Sequence, residues 1–212
     1  MTKIVHFTAA LLLFFAIKTF ARVNIGVDVV SRYIWRGKDF GNSVSVQPNL
    51  AFTFGKFEIG AWGSYPLAPN KAGANENDIY VTVSMGEISF TFTDYYYPET
   101  KHFFDYSEIN GYHILEISTD FTFKKFNFMG AVNVYGDVKN SVYAEIGYEM
   151  FKKDGYRANL TIGGGNNIYN SQVRGKFNLV NLGICAQKGP LSVSYILNPE
   201  AETNYLVLGY SF

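Results

Sequence analysis

The sequence predicts an all-β chain: a transmembrane up-and-down antiparallel β-barrel of about twelve strands, with ten or fourteen as alternatives. Three observations lead there. The chain opens on an export signal, the remainder alternates apolar and polar residues with period two, and the links between segments alternate short and long.

The first 21 residues, "MTKIVHFTAALLLFFAIKTFA", carry Lys3, an apolar run over 7–17 and the small-residue pattern Thr19-Phe20-Ala21. These are the three regions of a secretory signal peptide, with cleavage expected after Ala21, so 22–212 form the barrel. A membrane anchor fits less well, because the apolar run is about half the roughly 20 residues a spanning helix needs and Lys18 interrupts its end. The single cysteine, Cys185, cannot close an internal disulfide, and no cysteine near the cleavage point offers a lipid anchor. Lysine plus arginine and aspartate plus glutamate each count 18, and removing Lys3 and Lys18 with the signal leaves 16 against 18. That balance gives no reason to expect nucleic acid as a partner. Aromatic content is high at 17%, and no stretch after residue 21 approaches an apolar spanning helix. A soluble all-β protein and a transmembrane barrel remain.

The alternation favours the barrel. In "VNIGVDVVSRYIW", Val23, Ile25, Val27, Val29, Tyr33 and Trp35 share one face, while Asn24, Gly26, Asp28, Arg32 and Arg36 share the other. "SVSVQPNLAFTF" sets Val44, Val46, Leu50, Phe52 and Phe54 against Ser45, Gln47, Asn49 and Thr53. Pro48 in that strand loses a ladder hydrogen bond, which predicts a bulge or a register adjustment. "FEIGAWGSY" sets Phe57, Ile59, Ala61 and Tyr65 against Glu58, Gly60 and Ser64. Similar segments follow at 78–85, 88–95, 111–123, 126–135, 141–151, 156–163, 177–187, 191–197 and 203–212. Most are near the ~10 residues of a membrane-spanning strand.

Short turns at Gly55-Lys56, Gly86-Glu87, Lys124-Lys125, "KKDG" and "KGP" alternate with mostly longer polar links. An outer-membrane barrel produces that sorting, with turns on the periplasmic side and loops outside. The final strand "YLVLGYSF" ends on Phe212. It resembles the closing strand of bacterial outer-membrane barrels, which implies the barrel-assembly machinery as a partner.

On this reading the apolar faces meet outer-membrane lipid. Tyr33, Trp35, Tyr65, Tyr210 and Phe212 form the interfacial aromatic girdle, and "SRYIWRG" is one strand crossing from acyl chains to headgroups. The lumen receives Asp28, Arg32, Arg36, Gln47, Asn49, Glu58, Asp78, Tyr80, Glu116, Asp120, Tyr143, Glu145, Glu149, Arg157 and Asn159, with Glu149 and Arg157 close across one hairpin. Arg32, Arg36, Asp28, Glu58, Glu116, Glu145, Glu149 and Arg157 are the candidates for luminal selectivity, the two arginines biasing an anionic solute at the mouth. The same charges could instead pair across the barrel and fill it, since buried charges must be paired or hydrated.

No catalytic set is apparent. His113 in "GYHILEISTDF" is expected on the lipid face near the outer interface, without the His-x-Ser pair that outer-membrane lipid hydrolases carry. Asp94, Asp105 and His102 have no specific spacing. "GGGNN" lacks the Lys-Ser/Thr of a phosphate loop and reads as a flexible loop. No metal-site spacing occurs, so neither metal nor cofactor is expected. The aromatic loop "YYYPETKHFFDY" could fold into the mouth, bind a sugar or surface partner, or pack on itself.

Tyr33, Arg36, Gly37, Gln47, Pro48, Gly60 and Trp62 match a Tyr-x-x-Arg-Gly, Gln-Pro, Gly-x-Trp pattern over the first three strands. In this the sequence resembles the TorF-type porins and related small barrels. The resemblance implies an outer-membrane barrel of porin type and carries no catalytic residues. The leading expectation is a narrow passive channel for ions or small polar solutes. The alternatives are a structural or surface-interaction barrel with a plugged lumen, an outer-membrane lipid-modifying enzyme or protease, and a soluble periplasmic barrel.

Overall fold

Strands with two chemically different faces leave unpaired edges unless the sheet closes on itself. In the computed structural model, which describes residues 21–68, 73, 75–98, 102–107, 112–137, 139–171 and 175–212, twelve antiparallel strands close in that way. The expected signal peptide lies outside the described residues, apart from Ala21.

The wall is built from β1 (Arg22–Val30), β4 (Ser45–Phe54), β5 (Phe57–Pro66), β6 (Glu76–Met85), β7 (Ile88–Tyr96), β8 (His113–Phe123), β9 (Phe126–Tyr135), β10 (Val142–Lys153), β11 (Tyr156–Gly165), β12 (Asn178–Lys188), β13 (Leu191–Asn198) and β14 (Thr203–Ser211). Each pairs with its sequence neighbour in the wall, and β14 returns to β1. That seam is short: only Asp28, Val29 and Val30 pair with β14, while β1 pairs with β4 over all nine of its residues. The other two strands, β2 (Tyr33–Trp35) and β3 (Lys38–Gly41), form a separate hairpin.

The expected alternation holds in the wall. Ile25, Phe52, Ile59, Phe90, Phe92, Ile117, Ile146, Ile162 and Leu208 are exposed on the outer surface. Fourteen of the buried residues are polar and seven are hydrophobic among the described residues. A water-soluble barrel buries apolar side chains and wets polar ones, so this distribution is inverted.

"SRYIWRG" is not one membrane-crossing strand. β1 ends at Val30, and the backbone turns inward so that β2 and β3 lie inside the barrel. Trp35 and Lys38 are paired across a two-residue turn in which Arg36 and Gly37 both have positive φ, 51° and 77°. Two positive-φ residues match the right-handed strand twist of a tight hairpin. Tyr33 and Trp35 are therefore core aromatics and not part of a girdle. Trp35 lies 5.5 Å from the Tyr95 ring and 5.7 Å from Tyr169, and Tyr33 lies 5.5 Å from Trp62. Tyr65, Tyr210 and Phe212 do stand exposed on the outside.

Two further expectations change. Pro48 pairs with Val27 and shifts no register; β4 and β5 merely lack partners at Gln47 and Pro48, between Val46↔Tyr65 and Asn49↔Trp62. A bulge between Glu149 and Phe151 sets Glu149 opposite Asn159 and Arg157 opposite Lys152, which separates the expected Glu149–Arg157 pair.

Gly37 is the residue on which the hairpin turns. A Cβ built there would lie 1.9 Å from the Val180 carbonyl oxygen, on top of an unfavourable φ. Gly37→Ala is expected to destabilise the barrel by about 1–3 kcal/mol, read as a lower urea midpoint for loss of the folded band in unheated gel migration. Gly155→Ala, at a turn with open space around it, should cost less.

Candidate functional site

The interior of the barrel at its long-loop end is occupied by the β2–β3 hairpin and by a 3₁₀ turn, Asn167–Tyr169, from the β11–β12 connection. "GGGNN" is thus not simply a flexible loop: Gly163–Gly165 finish β11, and the chain then dips inward to bring Tyr169, only 3% exposed, against Trp35 and Tyr143.

Arg36, at the hairpin tip, makes the principal contact. Its Nη1 donates to Glu116 Oε2 at 2.5 Å and Nη2 to Oε1 at 2.9 Å, a bidentate pair between side chains 7% and 1% exposed. Nη1 also donates to the Tyr169 hydroxyl at 2.6 Å, and the Tyr95 hydroxyl donates to Glu116 Oε1 at 3.0 Å. The guanidinium carbon stands 4.3 Å from the Trp35 ring centre and 4.8 Å from that of Tyr143, within cation–π range. β8, β7 and β10 are thereby tied to the plug through one residue.

The hairpin also reaches the opposite wall. Asn198 of β13 donates to the Gly37 carbonyl at 3.0 Å, and Lys38 Nζ donates to the Ile168 carbonyl at 3.1 Å. Burial pushes the Lys38 ammonium below its usual value, opposed by the charges of Asp137 and Glu76. Under the other flank, the Tyr33 and Tyr97 hydroxyls lie close to Glu76. Glu76 Oε2 and Asp78 Oδ1 are buried without a hydrogen-bond partner.

Arg32 and Arg36 do not stand as free cations at the mouth. Arg36 is neutralised by Glu116, and Arg32 pairs with Asp39, its Nε donating at 3.0 Å, while its guanidinium carbon lies 4.9 Å from the Tyr205 ring centre. Of the remaining candidates, Glu58, Glu149 and Arg157 lie toward the short-turn end, while Asp28 and Glu145 lie nearer the long-loop ends of β1 and β10, below the hairpin. Glu58 accepts from Thr53 at 2.9 Å and Tyr80 at 3.1 Å, and Glu145 accepts from Tyr143 at 2.6 Å and Asn181 at 3.1 Å. Asp28, Asp120 and Glu149 share that half-buried interior, and Arg157 is exposed near its rim. Among the described residues, the interior below the hairpin carries carboxylates at Asp28, Glu58, Asp120, Glu145 and Glu149.

Beyond the hairpin, at the long-loop end, is a cleft of about 790 Å³ lined by Lys38, Asp39, Asp137, Lys139, Asn198 and Tyr205, among others. Asp137 is held below the usual carboxylate range: burial acts upward, but hydrogen bonds from Ser141, Asn133 and the Lys139 backbone outweigh it.

His113 has the outward orientation expected of it but is not an exposed interfacial residue. It is 2% exposed beneath the 102–107 loop segment, sandwiched between the rings of Tyr96 at 4.6 Å and Tyr106 at 3.8 Å. Its Nδ1 meets Asp94 Oδ1 at 2.7 Å, and its Nε2 meets the Phe103 carbonyl at 2.6 Å. With Nε2 bound to a backbone carbonyl, the ring serves as a clamp for the aromatic loop, which packs on the outer wall here. The Tyr106 hydroxyl, donating to Asp94 at 2.6 Å, is pushed up to about 12 by burial and by that carboxylate.

Sequence reasoning missed Asp39, Tyr95, Tyr169 and Asn198. The available signal was Arg36-Gly37 flanked by aromatics, a turn in place of a strand continuation.

Fold and interior together define a closed, internally occluded twelve-stranded β-barrel, an architecture that fits a porin-like or outer-membrane protein. The chain belongs to the Gcw_chp family, bacterial proteins of unknown function, whose family model matches residues 18–207. No curated protein matches the chain.

Removing one half of the buried pair leaves the other charge uncompensated. Glu116→Ala is expected to cost about 3–5 kcal/mol, and the double substitution Arg36→Met/Glu116→Leu less than that, as measured by urea unfolding of the refolded protein.

Proposed function

We propose that the protein is an exported outer-membrane barrel of porin-like type whose resting state is closed by the β2–β3 hairpin. Ions or small polar solutes pass only when that hairpin is displaced. One observation carries the reading: the hairpin spans the interior from Trp62 on β5 to Asn198 on β13 and is held by the Arg36–Glu116 pair. The apolar exterior and polar interior support insertion into a bilayer. Tyr65, Tyr210 and Phe212 then serve as interfacial aromatics, the closing strand β14 is the segment offered to the assembly machinery, and residues 1–21 are removed on export. The resemblance of "SRYIWRG", Gln47-Pro48 and Gly60-x-Trp62 to TorF-type porins supports the same class.

In this reading the acidic lower lumen favours cations over anions in the open state. No catalytic residue and no cofactor is assigned. The second reading, a permanently plugged barrel that presents the 790 Å³ cleft to the outside, is favoured by the hairpin's contacts with Glu116 and Asn198 on opposing walls and with Ile168 of the 3₁₀ turn.

Conductance in a planar bilayer separates them. The refolded wild-type protein should be silent or open only briefly, and deletion of residues 32–41 should give steady, cation-preferring openings. Arg36→Ala or Glu116→Gln should raise the open fraction well above wild type. Steady wild-type currents that these changes leave untouched would remove the hairpin from the role of gate. A loop-deleted protein that conducts while wild type and both point variants stay silent would establish the plugged barrel.

A further inference from the structure

The wall places charge unevenly between its two ends. Lys56, Lys124, Lys125, Lys152, Lys153 and Lys188 all lie at the short-turn end, in or beside four of its five turns, and all are exposed. Asp154 is the exposed carboxylate in those four turns, and Glu87 is exposed in the fifth. None of the six lysines forms an ion pair among the described residues. Lys56, Lys124, Lys125, Lys153 and Lys188 border the aromatic part of the outer wall, where Phe57, Phe123, Phe126, Phe151 and Tyr156 are exposed, while Lys152 pairs with Arg157 on the luminal face. Two of the ammonium groups lie back over those rings: Lys124 Nζ is 5.2 Å from the Phe123 ring centre, and Lys188 Nζ is 4.5 Å from that of Tyr156. A lysine directed along the barrel axis would meet a soluble partner. One lying beside an apolar aromatic band sits at the depth of a headgroup phosphate.

We propose that this end of the barrel is a docking ring for anionic phospholipids, in which the turn lysines bind the headgroup phosphates of the leaflet that surrounds it. The proposal rests on the outer-membrane reading above and assigns the ring to the periplasmic leaflet. Charge complementarity selects acidic over zwitterionic lipids, and the aromatic band fixes the depth at which the lysines act. An acidic soluble protein would fit the charge but not the adjoining apolar band.

The test is the lipid retained by the protein after refolding into vesicles of equimolar phosphatidylcholine and phosphatidylglycerol, followed by mild detergent extraction. Wild type should retain phosphatidylglycerol about fivefold above its bulk ratio, and high salt should reduce the excess. Lys124→Gln/Lys125→Gln/Lys153→Gln/Lys188→Gln should bring it close to the bulk ratio. The corresponding Lys→Arg variant should keep it, and heat-modifiable migration confirms that each protein is folded. Wild-type protein that inserts yet retains lipid at the bulk ratio, or a glutamine variant with undiminished enrichment, overturns the docking ring alone and leaves an acidic soluble partner as the match for these lysines. Protein that remains outside vesicles of either lipid overturns the membrane reading and this inference with it.

Discussion

A twelve-stranded barrel is wider than inward-pointing side chains alone can fill, because eight strands already give an interior just wide enough for side-chain packing. Every other feature of the interior answers that constraint. The chain meets it by turning the β2–β3 hairpin, residues 33–41, inward soon after β1 and adding the Asn167–Tyr169 turn from the far side of the barrel. Aromatic rings supply the volume: Trp35 contacts Phe40, Tyr95 and Tyr169, and Tyr33 contacts Phe40 and Trp62. Backbone groups carried inward must also be satisfied, and Asn198 and Lys38 provide for Gly37 and Ile168.

Filling the barrel with a polar-walled plug creates an electrostatic problem, since Arg36 enters a region almost closed to water. Glu116 resolves it with a two-point hydrogen-bonded pair, and Tyr95 and Tyr169 occupy further positions around the two charges. A buried pair of this kind adds little net stability compared with apolar packing but penalises every arrangement that separates its members. It therefore acts on position more than on stability, fixing the depth of the hairpin. It also makes the position of the hairpin depend on one buried contact.

The two ends of the barrel divide the remaining chemistry. The long-loop end holds the plug, the polar cleft and the loop clamped by His113 against Asp94 and Phe103. The short-turn end has little buried structure beyond the wall, and its lysines stand beside aromatic residues. An acidic luminal segment, with Asp28, Glu58, Asp120, Glu145 and Glu149, lies between them. A solute that passed the hairpin would meet carboxylates before reaching a cationic rim.

What the amino-acid sequence determined by itself is the wall: the strand count, the sorting of short and long connections, and the inward or outward parity of residues such as Glu58, Glu116, Glu145 and Phe52. These follow from a period-two pattern that is local, so a few consecutive residues carry it. The interior was decided only in the tertiary structure. Alternation cannot distinguish an aromatic facing lipid from one facing a plugged lumen, so Tyr33 and Trp35 read as a girdle when they are core. Arg36-Gly37 is not among the common Asn-Gly or Asp-Gly hairpin pairs, which hid the turn. The partners of Arg36 lie 80 and 133 residues away along the chain, and only closure of the barrel brings them to it.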